Sequence, residues 1–296
     1  MLATGDPIMS KIKVESFFDN ATNTVTYLAI DVASKLCAII DPVLDYQANS
    51  GRTSTTSADK IVNHIDKFGY KVEWILETHA HADHLTAAPY LKAKLGGTIG
   101  IGEHIVRVQS TFKQLFNLQD EFIADGHQFD QLFSDDEKFR LGHLDVRVMH
   151  TPGHTPACVS YLIEDAVFVG DTLFMPDYGT ARTDFPSGSA NRLYQSIQKL
   201  LALPDNTRIF VCHDYLPEGR SEFAWETSVL EQKHHNIHVH EGVSEQDFVT
   251  MREARDAGLD VPKLLLPAIQ INIRGGEFPP TEANGQRYLK IPLNLL

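Results

Sequence analysis

Alternating apolar and polar runs, which are typical of strands, occur between helical patterns along most of the 296-residue chain. The chain opens with three such runs separated by turn residues, which predicts an antiparallel meander. Residues 45–57 are polar and are predicted to be a loop whose last residues cap a helix. The elements predicted in the first half are strands at Lys11–Phe18, Thr24–Ile30, Leu36–Asp41 and Val72–Leu76, and helices at Ala58–Phe68 and His84–Leu95.

The second half repeats this order of sheet first and helix second. Its last predicted helix begins with a capping-box spacing and ends near a glycine. A tail rich in Pro and Gly follows, and we predict that it is irregular and folds back on the body. The predicted elements are strands at Leu144–Met149, Cys158–Ile163, Ala166–Val169 and Arg208–Cys212, and helices at Ala190–Ala202 and Ser244–Gly258. This pattern predicts an α/β protein with two mixed sheets covered by helices.

Composition narrows the possible functions. Lys and Arg number 26 against 39 Asp and Glu, and the resulting net charge of −13 argues against non-specific binding to nucleic acid or anionic membranes. No apolar run approaches the ~18 residues of a membrane-spanning helix, and the N-terminal MLATGDPIMSKIK lacks the apolar stretch of a secretory signal. The three cysteines, Cys37, Cys158 and Cys212, are far apart, which suits reduced thiols. We therefore expect a cytoplasmic protein.

Histidine placement points to a metal site. After the predicted strand VEWIL come Glu77 and the string T-H-A-H-A-D-H. His79 and His81 alternate in an extended segment, so both side chains are expected on one side, while Asp83 and His84 are expected at the start of the following helix. Imidazole and carboxylate ligands together suit Zn or Fe.

Three more candidate ligands follow predicted strands, at the place where α/β folds assemble their sites. They are His154 in T-P-G-H-T, Asp171 in V-F-V-G-D and His213 in F-V-C-H-D. Each alone is compatible with a structural histidine or a turn-forming aspartate. Together they favour a metal centre, because a cation offsets the desolvation of crowded polar groups.

With these residues in place, the chain resembles the metallo-β-lactamase fold superfamily over about residues 12–240. The resemblance implies a four-layer αβ/βα sandwich of two mixed sheets flanked by helices, with the site at the edge between the sheets. Together with the tail pattern, we predict one domain over residues 1–296, with the extension 241–296 packed on the core. Binuclear hydrolases of this fold use seven ligands and two zinc ions to activate water. The matching positions are His79, His81 and His154 for one metal, Asp83, His84 and His213 for the other, and Asp171 as the bridge.

A narrower resemblance changes the expected chemistry. The segment G-D-T-L-F-M-P-D-Y-G-T-A-R-T-D-F at 170–185, with H-T-P-G-H-T-P-A-C before it and C-H-D-Y at 212–215, is similar to the persulfide dioxygenase family. This similarity implies one Fe(II) per chain, held by His79, His154 and Asp171 as a two-His, one-carboxylate triad. The remaining motif residues would then hydrogen-bond or orient groups at the site. They are His81, Asp83, His84, His213 and Tyr215, although Tyr215 is also compatible with a core position.

The implied substrates are glutathione persulfide and O₂, and the implied products are sulfite and glutathione. Because glutathione carries two carboxylates, Arg182 is the first candidate to bind the substrate and Arg274 the second. Arg182 could instead pair with Asp184 or Asp177 to hold its loop. The better-known shorter members of the family lack loops as long as 45–57 and 113–137, so the chain is more similar to a longer bacterial branch of the family.

Other hypotheses remain. A binuclear zinc thioesterase of the glyoxalase II type would use all seven ligands, although residues 241–296 lack the helical domain of those enzymes. A non-catalytic metal-binding protein is a third possibility. A homodimer is compatible with each of these hypotheses. Neither Cys158 nor Cys212 is predicted to be a nucleophile. One further histidine group is predicted to be solvated surface: His234, His235, His238 and His240.

Overall fold

The computed structural model describes residues 12–118 and 121–295. Two six-stranded mixed sheets and one three-stranded sheet carry the fold. The first large sheet contains β1 (Ile12–Asp19), β2 (Thr24–Asp31), β3 (Leu36–Ile40), β6 (Lys71–Leu76), β8 (Thr98–Gly102) and β9 (Gln131–Phe133) in that order. The second contains β10 (Lys138–Leu141), β11 (Leu144–His150), β12 (Val159–Ile163), β13 (Ala166–Phe168), β14 (Arg208–Phe210) and β15 (Glu226–Ser228). The small sheet contains β5 (Arg52–Ser54), β4 (Val43–Gln47) and β7 (Leu85–Thr86).

Strand direction follows the connections between the strands. The first sheet begins as the antiparallel meander β1–β2–β3 and continues with parallel pairs from β3 to β9, for which helical crossovers are the usual connection. In the second sheet only β13 and β14 pair in parallel, across the crossover that contains α4. The helices are α1 (Thr56–Phe68), α2 (Ala88–Leu95), α3 (Ile105–Leu115), α4 (Ala190–Leu201), α5 (Val229–His235), α6 (Glu245–Asp256) and α7 (Leu265–Asn272).

The core lies in three layers, because both large sheets are covered on both faces. Strand β2 is buried along its whole length. Its alternate residues Val25, Tyr27 and Ala29 pack between the two sheets, while Leu28 and Ile30 pack on the side of α1 and α2. A third apolar cluster joins β13 and β14 to α4 and α6 on the opposite outer face. The predicted α/β sandwich of two mixed sheets flanked by helices is confirmed.

Several predicted elements are confirmed with small shifts in their ends. The meander, α1, α4 and α6 lie where the patterns place them, although Lys11 falls outside the described residues. Ser244 caps α6 as expected, since its hydroxyl accepts a hydrogen bond from the Asp247 amide at 3.2 Å. Strands β8 and β9 and helix α3 are not predicted from the sequence pattern.

Three expectations about local structure are wrong. Residues 45–57 are not a plain loop, because β4 and β5 form a hairpin there and β4 also pairs with β7. The tail is not wholly irregular, because α7 forms within it. Helix α2 begins at Ala88 and not at His84, because Leu85 and Thr86 are held as a strand against Leu44 and Val43.

None of the helices in the described ranges is long and apolar enough to cross a membrane. The N-terminal segment used for the cytoplasmic prediction lies mostly in residues 1–11, outside the described residues. The cellular location and the organisation of residues 1–296 as one domain stay predictions.

Candidate metal centre

The loop after β6 carries the T-H-A-H-A-D-H string, and buried hydrogen bonds hold this loop in place. Thr78 donates from its amide and its hydroxyl to the Asp41 carboxylate at 2.7 and 2.9 Å. Asn272 of α7 donates to the carbonyls of His81 and His84 at 2.8 and 2.7 Å. The segment between β6 and β7 is therefore fixed both by the first sheet and by the C-terminal extension.

The second sheet contributes the other three motif residues from loops at its edge. His154 lies between β11 and β12, Asp171 follows β13, and His213 follows β14. All three are buried, at 7%, 8% and 0% exposure. Gly170 makes the close approach of the sheets possible: its φ is +53°, and a Cβ there would lie 2.5 Å from the Thr78 hydroxyl oxygen.

Three of the predicted ligands form one group of donors. The Nε2 atoms of His79 and His154 lie 3.8 and 3.6 Å from Asp171 Oδ2. The donor atoms of this group all lie within 4.8 Å of one another. His154 donates from Nδ1 to the Arg182 carbonyl at 2.8 Å, which leaves Nε2 to face the centre. The arrangement suits a single cation.

His81 is turned differently from the two histidines of that group. Its Nε2 lies 2.9 Å from Asp41 Oδ1 and 3.3 Å from Glu77 Oε2, both buried carboxylates. Its donors group instead with Asp83 and His84, or with Cys212 and His213.

His213 lies beside two carboxylates. Its Nε2 is 3.1 Å from Asp83 Oδ2 and 3.2 Å from Asp171 Oδ1. Asp171 thus presents one oxygen to the group of His79 and His154, and the other to His213.

Unpartnered polar atoms test whether the residues fit a metal. Buried nitrogen and oxygen atoms are normally hydrogen-bonded, because leaving them without a partner costs free energy. Within the described ranges, six motif residues each have a buried atom with no hydrogen-bond partner. These atoms are His79 Nε2, His81 Nδ1, Asp83 Oδ2, His84 Nε2, Asp171 Oδ1 and His213 Nε2. The donor set therefore fits one or two cations.

The protonation states of His79, His84 and Asp171 suit metal binding, whereas His213 is protonated at pH 7 beside its carboxylates. Burial lowers the pKa of His79 well below its usual value and that of His84 to about 4, so both imidazoles are neutral at pH 7. Burial opposes ionisation of Asp171, but His213 and the neighbouring histidines hold its pKa well below the usual range. Burial opposes protonation of His213, yet Asp83 and Asp171 raise its pKa to about 9.

A cavity of about 660 Å³ opens onto Asp83, His154 and Asp171. Its wall includes Tyr215, whose ring stacks on His213 with centroids 5.7 Å apart and is 38% exposed. The tyrosine therefore stands at the cavity and not in the core. Its role toward a substrate stays a prediction.

The two predicted substrate arginines differ in position. Arg182 lines the cavity, but its guanidinium donates twice to Asp184 at 2.6 Å and to the Asp260 carbonyl at 2.7 Å, which matches the loop-holding alternative. Arg274 is buried over the Phe122 ring at 4.8 Å and is not among the residues that line this cavity. The expectation that Arg274 binds the substrate gains no support from its position.

Sequence reasoning missed three other cations of the cavity wall, of which Arg252 is buried. Arg255 and Lys263 line the cavity, and both are exposed. Nothing in their sequence context marks them, because the fold alone brings the extension to the cavity. Asp41, Glu77 and Asn272 were also missed, although Glu77 directly precedes the motif string.

The predicted solvent exposure of the histidine group at 234–240 is confirmed with one exception. His234, His235 and His240 are exposed as predicted. His238 is 9% exposed, and its Nδ1 accepts a hydrogen bond from the Thr180 amide at 3.1 Å. The chain turns inward after α5, where the Asn236 side chain accepts from the His238 amide, so the prediction of a solvated surface is wrong for this residue.

Comparison with known proteins supports the fold, and the similar proteins carry the names of different reactions. The model of the metallo-beta-lactamase superfamily matches residues 22–213. The chain is 54% identical to a probable metallo-hydrolase of Burkholderia pseudomallei, over 96% of this chain and 99% of that protein. It is 53% identical to glyoxylase B2 of Dictyostelium discoideum, over 97% and 99% of the two chains.

Persulfide dioxygenases are more distant relatives. The persulfide dioxygenase ETHE1 of Mus musculus is 31% identical over 72% of this chain and 71% of its own length. The crystal structure of ETHE1 from Myxococcus xanthus superposes with a TM-score of 0.71 at 30% identity, covering 90% of this chain and all of that one.

Proposed function

Because the chain belongs to the metallo-β-lactamase superfamily, we propose that it is a mononuclear Fe(II)-dependent persulfide dioxygenase acting on glutathione persulfide. The observation that carries the proposal is the group of His79, His154 and Asp171, from which the donors of His81 stand apart. A facial triad of two histidines and one carboxylate is the usual ligand set of non-haem Fe(II) oxygenases. The similarity to named persulfide dioxygenases supports the same reaction.

The proposed reaction balances without a further reductant. Glutathione persulfide, O₂ and water give glutathione, sulfite and two protons. The S–S bond breaks so that the inner sulfur leaves as the thiol of glutathione and the terminal sulfur becomes sulfite. The two sulfur atoms together lose four electrons, which O₂ accepts. A bound iron ion would supply the change of oxidation state that this chemistry needs and that zinc lacks.

The residues of the chain bind and orient in this proposal. His79 presents a neutral Nε2 atom, and the Arg182 carbonyl fixes the ring of His154 so that its Nε2 faces the same centre. The cavity volume of about 660 Å³ lies within the usual range for a small-molecule ligand of this size. Tyr215 and Phe174 line the cavity and form part of its aromatic wall. They would exclude water from their side of the cavity.

We assign the carboxylates of the substrate to Arg255 and Lys263, which are the exposed cations of the cavity wall. Changing either residue to Gln should raise KM for glutathione persulfide about tenfold with kcat little changed. A charge-assisted hydrogen bond to a non-reacting group contributes roughly 1.5–3 kcal/mol to binding in the ground state and the transition state alike. Steady-state O₂ consumption measures both constants.

The matched control is Lys138→Gln, which removes an exposed cation from β10 outside the cavity lining. It should leave KM unchanged. Unchanged KM in the double variant of Arg255 and Lys263 would contradict the assignment of the substrate carboxylates, and would leave the iron site untouched.

A binuclear zinc hydrolase is the second candidate, and one observation favours it. Asp83, His84 and His213 carry buried donors without hydrogen-bond partners in the described ranges, and Asp171 Oδ1 faces His213 at 3.2 Å. The similarity to a probable metallo-hydrolase and to glyoxylase B2 points the same way. Such an enzyme would hold two metals per chain, use zinc and cleave thioesters without consuming O₂.

The test of the proposed function is O₂ consumption by Fe(II)-loaded protein. Addition of glutathione persulfide should start O₂ uptake and release sulfite in equal amounts. The Zn-loaded protein should do neither. Hydrolysis of a glutathione thioester by the zinc form, with no O₂ uptake by the iron form, would transfer the proposal to the second candidate.

A further inference from the structure

The segment 180–183 contacts a proposed metal ligand through its backbone. The Arg182 carbonyl accepts the hydrogen bond from His154 Nδ1 at 2.8 Å. Thr180 and Thr183 flank that carbonyl and are 3% and 8% exposed. The position of the His154 ring therefore depends on how firmly this segment is held.

A buried ion pair of α6 holds both ends of the segment. Arg252 donates twice to Asp256 Oδ1, at 2.9 and 2.6 Å, and once to the Thr180 carbonyl at 3.1 Å. The other oxygen of Asp256 accepts from the Thr183 amide at 2.8 Å and from its hydroxyl at 3.0 Å. Arg252 and Asp256 are 2% and 5% exposed, so these bonds are shielded from water.

We propose that Arg252 and Asp256 are positioning residues for the metal ligand His154. A path of hydrogen bonds runs from Asp256 to the Thr183 amide, along one peptide unit to the Arg182 carbonyl, and on to His154 Nδ1. Groups behind a metal-binding histidine fix its ring orientation and its tautomer. The inference rests on His154 as a ligand, and it holds for either reaction named above.

The pair is poorly explained as a stabilising contact alone. Burying two charges costs desolvation free energy that their attraction often only offsets, and apolar residues of similar volume can serve stability equally well. A fixed carboxylate and guanidinium, however, make directional bonds at both ends of one short segment. The C-terminal extension therefore orients the metal centre at a second place, besides the bonds of Asn272.

The test is a Co(II) titration of the metal-free protein, followed by the ligand-field absorption spectrum. Asp256→Asn preserves the shape of the side chain but puts an NH₂ group where Arg252 or Thr183 needs an acceptor. We expect it to weaken Co(II) affinity roughly tenfold, the lower end of the range for groups behind metal ligands, and to shift the spectrum. Arg252→Lys keeps the charge, loses the fork of donors, and should change both readouts in the same direction.

Glu253→Gln is the matched control, because Glu253 lies on the exposed face of the same helix. This variant should have the same Co(II) affinity and spectrum as the wild-type protein. Thermal melting of each variant shows whether it is folded, and Arg252→Lys decides the matter if Asp256→Asn does not fold. Wild-type affinity and spectrum in a folded Asp256 or Arg252 variant would overturn the positioning role. Unchanged Co(II) binding in His154→Ala would instead overturn the ligand assignment itself.

Discussion

The His154→Ala variant is expected to lose its iron, whereas His213→Ala is expected to keep one equivalent per chain. His154 is one of three donors in its group, so its loss leaves two ligands, too few to retain the ion through desalting. His213 lies outside that group, since its Nε2 is beside Asp83 Oδ2 and the second oxygen of Asp171. Anaerobic loading with Fe(II), desalting and elemental analysis measure the contents directly.

The same pair of variants separates the one-metal and two-metal accounts. Melting curves of the metal-free proteins establish that both are folded. If the unchanged protein held two metals and His213→Ala lost one of them, the binuclear site would be correct. Retention of a full equivalent of iron by His154→Ala would contradict the triad in either account.

Gly170→Ala is expected to lower the free energy of unfolding and to disturb the metal centre. A Cβ at this position would lie 2.5 Å from the Thr78 hydroxyl oxygen and 3.4 Å from His79 Nδ1. Overpacking costs about 1–3 kcal/mol and a left-handed backbone costs a non-glycine residue roughly 1–2 kcal/mol, so a loss of about 2–5 kcal/mol is expected. Urea denaturation of the metal-free protein measures it, and Fe(II) affinity should fall because Asp171 follows directly.

Gly51→Ala is the control for the backbone contribution. Gly51 has a similar φ of +66°, but nothing lies within 4 Å of its added Cβ. It should lose only the backbone part, roughly 1–2 kcal/mol, and keep its metal affinity. Equal losses in the two variants would show that the contact between Gly170 and Thr78 is not tight.

The alternation of apolar and polar residues predicted the two sheets, whereas the contacts around the candidate site were harder to predict. The two sheets follow from alternation, and the candidate ligands after strands follow from the usual placement of sites in α/β folds. The choice of His79, His154 and Asp171 as one group comes from the family resemblance. In the described residues the donor atoms of these three side chains lie within 4.8 Å of one another. The two-residue strand β7 could not be predicted, because it exists only by pairing with β4. That pairing moves the start of α2 and leaves Asp83 and His84 in a loop.

Long-range contacts account for most of the missed residues. Asn272 lies nearly two hundred positions from the carbonyls it binds, and Asp256 lies 73 positions from the Thr183 amide. Asp256 lies in a segment that looks like an ordinary polar helix, and Asn272 lies in one that looks like an apolar tail. Arg274 shows the opposite case: it lies over the Phe122 ring and is not among the residues that line the cavity, so its position does not support the predicted substrate role.

The most direct test of the account is the O₂ uptake of the protein loaded anaerobically with Fe(II), measured on addition of glutathione persulfide, beside the same protein loaded with zinc. The account predicts rapid uptake with one sulfite formed per O₂ in the iron form, and none in the zinc form or in His154→Ala. No uptake by a protein shown to hold one iron per chain would contradict the dioxygenase.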